Sequence, residues 1–507
     1  MPSTFLKALS PFVRIMPEVK APDREVSFRE KAVWTIIVLI IFLIMSHMPL
    51  YGVDRNVGTD YLWAMRVILA STRGTLMELG IGPIVTAGLV MQLLSGSKII
   101  NVDFGDPEDR ALFTGGQKVL ALFMTGFQAI AYIIGGAYGT DLNPSDSVLV
   151  FLQLFIAGVV VILMDELVQK GWGLGSGVSL FIMTNVAGQV LFNMLDFTQT
   201  EGTGPIGYIG TNTENPQATQ LPKGIVAAMI SNIMRAFGIG TAAGPPVDAG
   251  WFFIRDGYSP SILSLAVTFA IFGAVIWLES VRVEIPLQYA KYRGMKARYP
   301  IKLLYTSNIP VILAQALFAN ILFFGQMIWS AWNSDNSNPF LSWIGTFHRD
   351  ASSGRMLADS GLARYITPPQ GIFSLSREVD WLPHVVIYAS VMILLCWGFS
   401  KVWVDISGIA PRDVSRQLLD SGYMVPGFRT SEKVMERLLD RYIPVVAGLG
   451  GFLIGILAAT ADIMGALASG TGILLMVSII KQYYEQIAKE QLAGMGGEGV
   501  AGLLGIL

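Results

Sequence analysis

The chain has 507 residues, of which 52% are apolar and 14% charged, with a mean hydropathy of +0.54 and a formal net charge of −2. Soluble proteins carry charge on about 25% of their residues, so an ordinary soluble protein is excluded, and a near-neutral chain has no overall attraction to a polyanion. Cys396 is the single cysteine and His47, His348 and His384 the only, widely separated histidines, so an internal disulfide and a Cys/His metal centre are excluded as well, and no cofactor is expected.

Residues 1–32 interleave Lys7, Arg14, Lys20, Arg24, Arg29 and Lys31 with acids and contain no long apolar stretch, which does not fit a cleavable signal peptide. Phe5, Leu6, Leu9, Phe12 and Val13 mark an amphipathic segment expected to lie on the cytosolic interface. Ten runs free of Asp, Glu, Lys and Arg follow: 33–50, 80–97, 119–138, 148–164, 178–195, 259–278, 303–332, 382–400, 442–461 and 463–480. Each is long enough for a membrane helix, which needs about 17–25 residues. None alternates as a barrel strand does. The run 303–332 exceeds one straight crossing and is expected to include turns or tilt. The fold class expected is therefore all-α integral membrane, with ten transmembrane helices in two five-helix halves.

The loops on the N-terminal side of the membrane hold 25 of the 35 Lys and Arg residues, and those on the other side hold 10. By the positive-inside rule both termini are expected in the cytosol. This divides the chain into a cytosolic N-terminus (1–32), a first half (33–195), an external loop (196–258) with a helix-like stretch Gly224–Phe237, a second half (259–490) and a cytosolic tail (491–507). A second external loop, 333–381, lies in the second half, as do two long basic cytosolic loops, 281–302 and 401–441. No N-glycosylation signal falls in either external loop.

Glu78, Asp165, Glu166, Glu279 and Asp462 sit at or near span ends and are expected to be solvated or interfacial charges. No phosphate loop and no assignable nucleophile–base set is present, so no enzyme is expected. The alternative is a secondary transporter of a small solute, whose mark would be broken helices carrying ionisable groups at mid-membrane.

Four segments carry a resemblance: Trp63–Leu94 (WAMRVILASTRGTLMELGIGPIVTAGLVMQLL), Asp165–Ile182 (DELVQKGWGLGSGVSLFI), Tyr299–Asn320 (YPIKLLYTSNIPVILAQALFAN) and Gly465–Ile480 (GALASGTGILLMVSII). They resemble the alpha subunit of the Sec protein-conducting channel, the SecY-type family, and FLKALSPFVRIMPEV near the start and RYIP before the ninth run fit its eukaryotic endoplasmic-reticulum form. The resemblance implies two pseudo-symmetric halves closing like a clamshell around an hourglass pore, with a lateral opening to lipid. It implies a pore ring of Ile81, Val85, Val178, Ile182, Ile312 and Leu475. It also implies a plug over about 60–74, with Leu62, Trp63, Arg66, Val67, Ile68 and Leu69 as a short helix; Asp380, near the external end of the eighth span, is placed to pair with Arg66. A polar cluster of Thr86, Gln128 and Asn320 is implied at a lateral gate between spans two and three and spans seven and eight. Arg293 and Arg429 match the ribosome-facing arginines of the two basic loops, and arginine's planar fork suits phosphate. The partners implied are ribosome and its rRNA, small beta and gamma subunits, signal peptides, nascent chains and membrane lipids.

Overall fold

The computed structural model describes residues 11–14, 16–53, 60, 65–97, 99–100, 102, 107–139, 143–197, 222–237, 260–289, 296–333, 336, 338–349, 356–369, 381–425 and 431–494. Each of the ten apolar runs contains one helix. In the first half these are α1 (Phe28–His47), α2 (Gly82–Gly96), α3 (Pro107–Ile134), α4 (Pro144–Leu167) and α5 (Gly177–Leu195). After α6 (Ile225–Ala236) come the helices of the second half: α7 (Ile262–Ser280), α8 (Ile309–Trp332), α11 (Trp381–Ile406), α13 (Glu432–Met464) and α14 (Gly470–Gly494). Two shorter helices, α9 (Pro339–Ile344) and α10 (Gly361–Ile366), fall between α8 and α11, and α12 (Pro411–Asp420) precedes α13.

Local chemistry sets these boundaries. Ser27 and Ser261 cap α1 and α7, their hydroxyls accepting from Glu30 N and Ser264 N. Pro310, in the first turn of α8, needs no hydrogen bond there. Residues 303–308 are bends and turns, so the over-long run 303–332 resolves into a short connection and a 24-residue helix. α2 has 15 residues, about 22 Å at 1.5 Å per residue, which is short of a hydrocarbon core of about 30 Å. Turns lead into it before Gly82.

Glycines let the helices approach closely. On α13, a Cβ at Gly451 would lie 2.5 Å from Ser400 Cβ and 2.8 Å from the Cys396 carbonyl of α11, and one at Gly455 would lie 2.9 Å from Ile393 Cα. Between α3 and α4, a Cβ at Gly158 would lie 2.3 Å from Thr125 Cγ2. Without a hydrophobic drive between helices in lipid, this contact area holds the bundle together.

Two small sheets lie outside the membrane-length helices, a feature the expected all-helical pattern lacks. At one end the loop 281–302 is an antiparallel hairpin, β1 (Arg282–Tyr289) with β2 (Lys296–Lys302), registered from Arg282↔Lys302 to Gln288↔Lys296. β5 (Tyr423–Met424), from the loop 401–441, joins the other edge of β1 at Gln288↔Met424 and Tyr289↔Tyr423. Pro286 sits where β1 has β2 alone as a neighbour, so its missing N–H breaks no second ladder. Ile285, Leu287 and Ile301 of this sheet pack with Val414, Leu418, Met435 and Leu439 of α12 and α13 into a small second core. The two basic loops thus form one folded unit. At the opposite end, α6 seats Ile225 and Ala228 against Leu467 and Met194. There β3 (Thr346–Arg349) and β4 (Met356–Ser360) form a hairpin.

Candidate functional site

The six apolar residues picked out in the sequence come from four helices and fall in one continuous apolar cluster. Ile81, Ile182 and Leu475 are fully buried in it, and half-buried Val85, Val178 and Ile312 pack against it. Ile81 immediately precedes α2, with Val85 one turn on, so the two share a face. Val178 and Ile182 repeat that spacing at the start of α5, Ile312 lies in the first turn of α8, and Leu475 in the second turn of α14. Packing of α2 on α8, of α5 on α14, and of α8 on α14 brings the four helices together.

A cavity of ≈620 Å³ opens beside this cluster, at the end of the molecule that carries the β1–β2–β5 sheet. Its walls include Ser179, next to Val178, and Ser478, three residues past Leu475, with Glu279, Lys302, Lys481 and Glu485 around them. Lys302 pairs with Glu485, and Lys481 lies 3.6 Å from Glu279. A mixed-charge cavity therefore adjoins the apolar cluster.

At the seam between α2 and α3 on one side and α8 and α11 on the other, Asn320 Nδ2 donates to Thr86 Oγ1 at 3.0 Å and to the Ala316 carbonyl at 2.7 Å. Gln128, buried on α3, turns its Oε1 toward Gly82, one turn before Thr86. Phe127 meets Phe324 and Tyr132 stacks on Phe323 across α3 and α8, with centroids 6.0 and 5.5 Å apart.

The segment before α2 departs from expectation. Leu62, Trp63 and Asp380 lie outside the described residues. Met65–Ala70 is a series of hydrogen-bonded turns rather than a helix, because Ala70 adopts φ +51° and Ser71 N reaches back to the Arg66 carbonyl. Arg66 is buried and engaged by Asp60 and Glu78. Its Nε donates to both Asp60 carboxylate oxygens at 2.8 and 3.0 Å, and its Nη2 donates to Glu78 Oε1 at 2.6 Å. Asn185 on α5 donates to the Arg66 and Val67 carbonyls at 3.2 and 2.9 Å. Ile81 N donates to the Leu69 carbonyl at 2.8 Å. A Cβ at Gly472 on α14 would lie 3.1 Å from Val67, so that helix passes close by. Val67, Ile68 and Leu69 are buried in the main apolar cluster.

Three of the five acids expected at solvated span ends are buried: Glu78 (1% exposed), Asp165 (7%) and Asp462 (5%). Each survives burial because donors surround it. Glu166 and Glu279 are half-buried, and Glu166 is paired with Lys118 and Lys170 at 2.7 and 3.0 Å. The N-terminal segment crosses beside Glu166, with Glu18 on Lys170 and the Trp172 indole donating to the Lys20 carbonyl. The hydrogen bond and charge of Lys170 hold the Glu18 carboxyl below the usual carboxylate range. Arg293 and Arg429 lie outside the described residues, on the loops tied together by β1 and β5.

Asp60, Glu78 and Asn185 were not singled out from the sequence as partners of the plug. The available signal was an arginine between two acids ahead of a short, glycine-flanked span, where a lone buried charge would be untenable.

These features belong to a multi-span helical protein: a polar-lined cavity, an apolar cluster joining four helices, and a packed segment held against it. A family profile described as SecY matches residues 75–484, and one described as the plug domain of Sec61p matches residues 40–74. A solved protein-conducting channel superposes with a TM-score of 0.76 at 34% identity, covering 97% of this chain and 99% of that one. Canine Sec61, in a ribosome–channel complex from the endoplasmic reticulum, gives 0.73 at 33% with the same coverage. The yeast Ssh1 complex bound to the 80S ribosome gives 0.74 at 25%, covering 95% and 94%. The chain belongs to the SecY family. It is accordingly a ten-helix, two-half protein-conducting channel rather than an enzyme, and the transporter alternative falls.

Proposed function

We propose that this chain is the pore-forming subunit of an endoplasmic-reticulum translocon, with both termini cytosolic. Nascent chains thread a collar of Ile81, Val85, Val178, Ile182, Ile312 and Leu475, and hydrophobic segments leave sideways between α2–α3 and α8–α11. The observation that carries this reading is that six aliphatic residues from four helices share one apolar cluster next to a mixed-charge cavity. An aliphatic collar binds no particular sequence and, when narrow, dewets and blocks ions. Ribosome docking through Arg293 and Arg429, and small beta and gamma subunits, complete the proposed complex. The sheet that joins the two basic loops supports that docking, since it holds both on one rigid base.

The test is a photo-crosslinker at position 85 or 312 facing a stalled nascent chain. Both positions are expected to capture the chain in translocation. Capture by lipid alone at both sites would falsify the collar.

The Thr86–Asn320 pair acts as a latch on the lateral gate. A hydrogen bond between helices in a membrane is worth roughly 0.6–2 kcal/mol, and each central Leu, Ile, Phe or Val moved into lipid gains up to about 0.6 kcal/mol. In Asn320→Leu the latch is gone, so weakly hydrophobic signal segments are expected to insert about 3- to 30-fold more readily relative to translocation, while strong segments change little. The check is a glycosylation-reporter insertion assay across a hydrophobicity series, and an unchanged threshold would remove the latch.

A further inference from the structure

Asp165 and Asp462 sit near the ends of the fourth and the ninth membrane helices, and each accepts a backbone N–H from the second residue of the helix that follows. The fifth helix of the first half, α5, opens on Gly177, and its second residue, Val178, donates its backbone N–H to Asp165 Oδ1 at 2.9 Å. The fifth helix of the second half, α14, opens on Gly470, and its second residue, Thr471, donates its backbone N–H to Asp462 Oδ1, also at 2.9 Å. Ser176, at the cap position of α5, makes no side-chain cap hydrogen bond, so the distant carboxylate does that work; at α14, Ser469 Oγ accepts from Gly472 N at 3.1 Å and Asp462 takes the amide before it.

The remaining oxygen is held in both cases. Gln169 Nε2 donates to Asp165 Oδ2 at 2.7 Å, and the Tyr388 hydroxyl donates to Asp462 Oδ2 at 2.7 Å. Thr471 Oγ1 adds a second bond to Asp462 Oδ1 at 3.2 Å. Both opening glycines are required by contact. A Cβ at Gly177 would lie 2.6 Å from Asp165 Cα, and one at Gly470 would lie 2.0 Å from the Ala461 carbonyl carbon.

The match extends to the collar. Four residues past Val178 stands Ile182, and four past Thr471 stands Leu475, both fully buried in the shared apolar cluster. One turn along the axis, about 6 Å, separates each anchor from a collar residue. α4 and α13 are the fourth and ninth spans of an alternating chain, so their ends lie at opposite faces of the membrane. The two halves are thus suspended from opposite sides by the same device.

We propose that Asp165 and Asp462 are a matched pair of positioning residues, each hanging the last helix of its half from the end of the helix before it and so setting the height of Ile182 and Leu475 in the collar. The role in the collar rests on the pore reading above; the anchoring does not. In this arrangement the carboxylates touch no substrate. Each converts a helix start, where amides lack partners, into a fixed point, and a collar made of rotating or sliding helices would need two such points to close reproducibly.

The experiment uses the full-length chain with its co-purifying subunits in lipid nanodiscs, with Asp→Ala and Asp→Asn at each position. Amide hydrogen exchange reads the anchors, and photo-crosslinkers at 182 and 475 facing a stalled nascent chain read the collar. Loss of a hydrogen bond of typical strength changes an equilibrium by about 2- to 13-fold. Asp165→Ala is expected to speed exchange at the start of α5 by about that factor, leaving the start of α14 unchanged, and Asp462→Ala to do the reverse. Crosslinking should fall at 182 in the first variant and at 475 in the second. Asn retains an acceptor oxygen, so both Asn variants should restore the unmodified pattern, a rescue that general destabilisation would not produce. If an Ala variant fails to accumulate, the Asn variant at the same position decides: normal behaviour supports the anchor, and failure overturns it. Equal changes at both helix starts, or none, also overturn it. Selective exchange with no crosslinking at 182 or 475 in the unmodified protein would keep the anchors and sink the pore reading.

Discussion

Replacing Arg66 by alanine is expected to unseat the plug and make the resting channel leak ions. The guanidinium is buried between Asp60 and Glu78, and Ser71 Oγ lies 3.3 Å from its Nη1. Removing it leaves two carboxylates in a dry site with no cation. Breaking a buried pair by deleting one partner costs about 3–5 kcal/mol, comparable to the whole stability of a segment that is not a span. Among the described residues, the plug is also tied by Asn185, by Ile81 N to the Leu69 carbonyl, by Thr72 N to the Met77 carbonyl at 3.0 Å, by Leu50 N to the Gly74 carbonyl at 3.0 Å, and by Met356 N to the Asp60 carbonyl at 3.2 Å. The effects should rank Arg66→Ala over Glu78→Gln over Asp60→Asn, since the Glu78 side chain is 2% exposed and that of Asp60 is 11%. Arg66→Lys should fall between, because a single ammonium cannot bridge both acids as the guanidinium fork does. Conductance of reconstituted bilayers without ribosomes checks this, and a resting conductance equal to that of the unmodified channel for Arg66→Ala would mean that the Asp60–Arg66–Glu78 cluster does not hold the plug.

Gly80→Ala is expected to be as damaging, through sterics. Gly80 has φ +55°, and a Cβ there would lie 2.1 Å from the Leu69 carbonyl oxygen. That carbonyl accepts from Ile81 N, so the clash falls on the bond that joins the plug to α2. The left-handed backbone costs an alanine about 1–2 kcal/mol, and overpacking of this kind adds about 1–3 kcal/mol. The obstacle is backbone, so relief requires Leu69 and Ile81 to separate, which also moves Ile81 in the collar. Gly88→Ala on the same helix meets only the flexible end of Gln117, at 3.0 Å, and should be mild. A thermal-unfolding and leak comparison of the two variants tests the difference; equal behaviour would mean that the plug–α2 junction carries no special constraint.

Much of the architecture was legible in the chain. Ten uncharged runs each became one helix, because backbone groups in lipid must bond within their own segment and leave no alternative. The helix-like stretch within the external loop reappears as α6 (Ile225–Ala236). The long run 303–332 broke at Asn308–Ile309, where proline and asparagine signal a helix start. Thr86 and Asn320, 234 residues apart in the chain, meet at 3.0 Å.

Other features depended on contacts that no local pattern encodes. The β1–β2 hairpin contains the alternation Ile285, Leu287, but β5 comes from a loop over a hundred residues later, and only its docking completes the sheet. Residues of the plug have helical spacing, yet Asn185, Glu78 and the Leu69–Ile81 bond hold them as turns, since tertiary partners outweigh weak local preference in a short segment.

By itself the sequence determined the membrane class and the number and order of spans, because insertion into lipid is decided residue by residue from hydrophobicity. Only the tertiary structure decided which charges are buried and what they hold. Glu78, Asp165 and Asp462 look like solvated span ends in one dimension, and their burial is tolerable only because donors from other segments arrive in three: Arg66, the start of α5 and the start of α14.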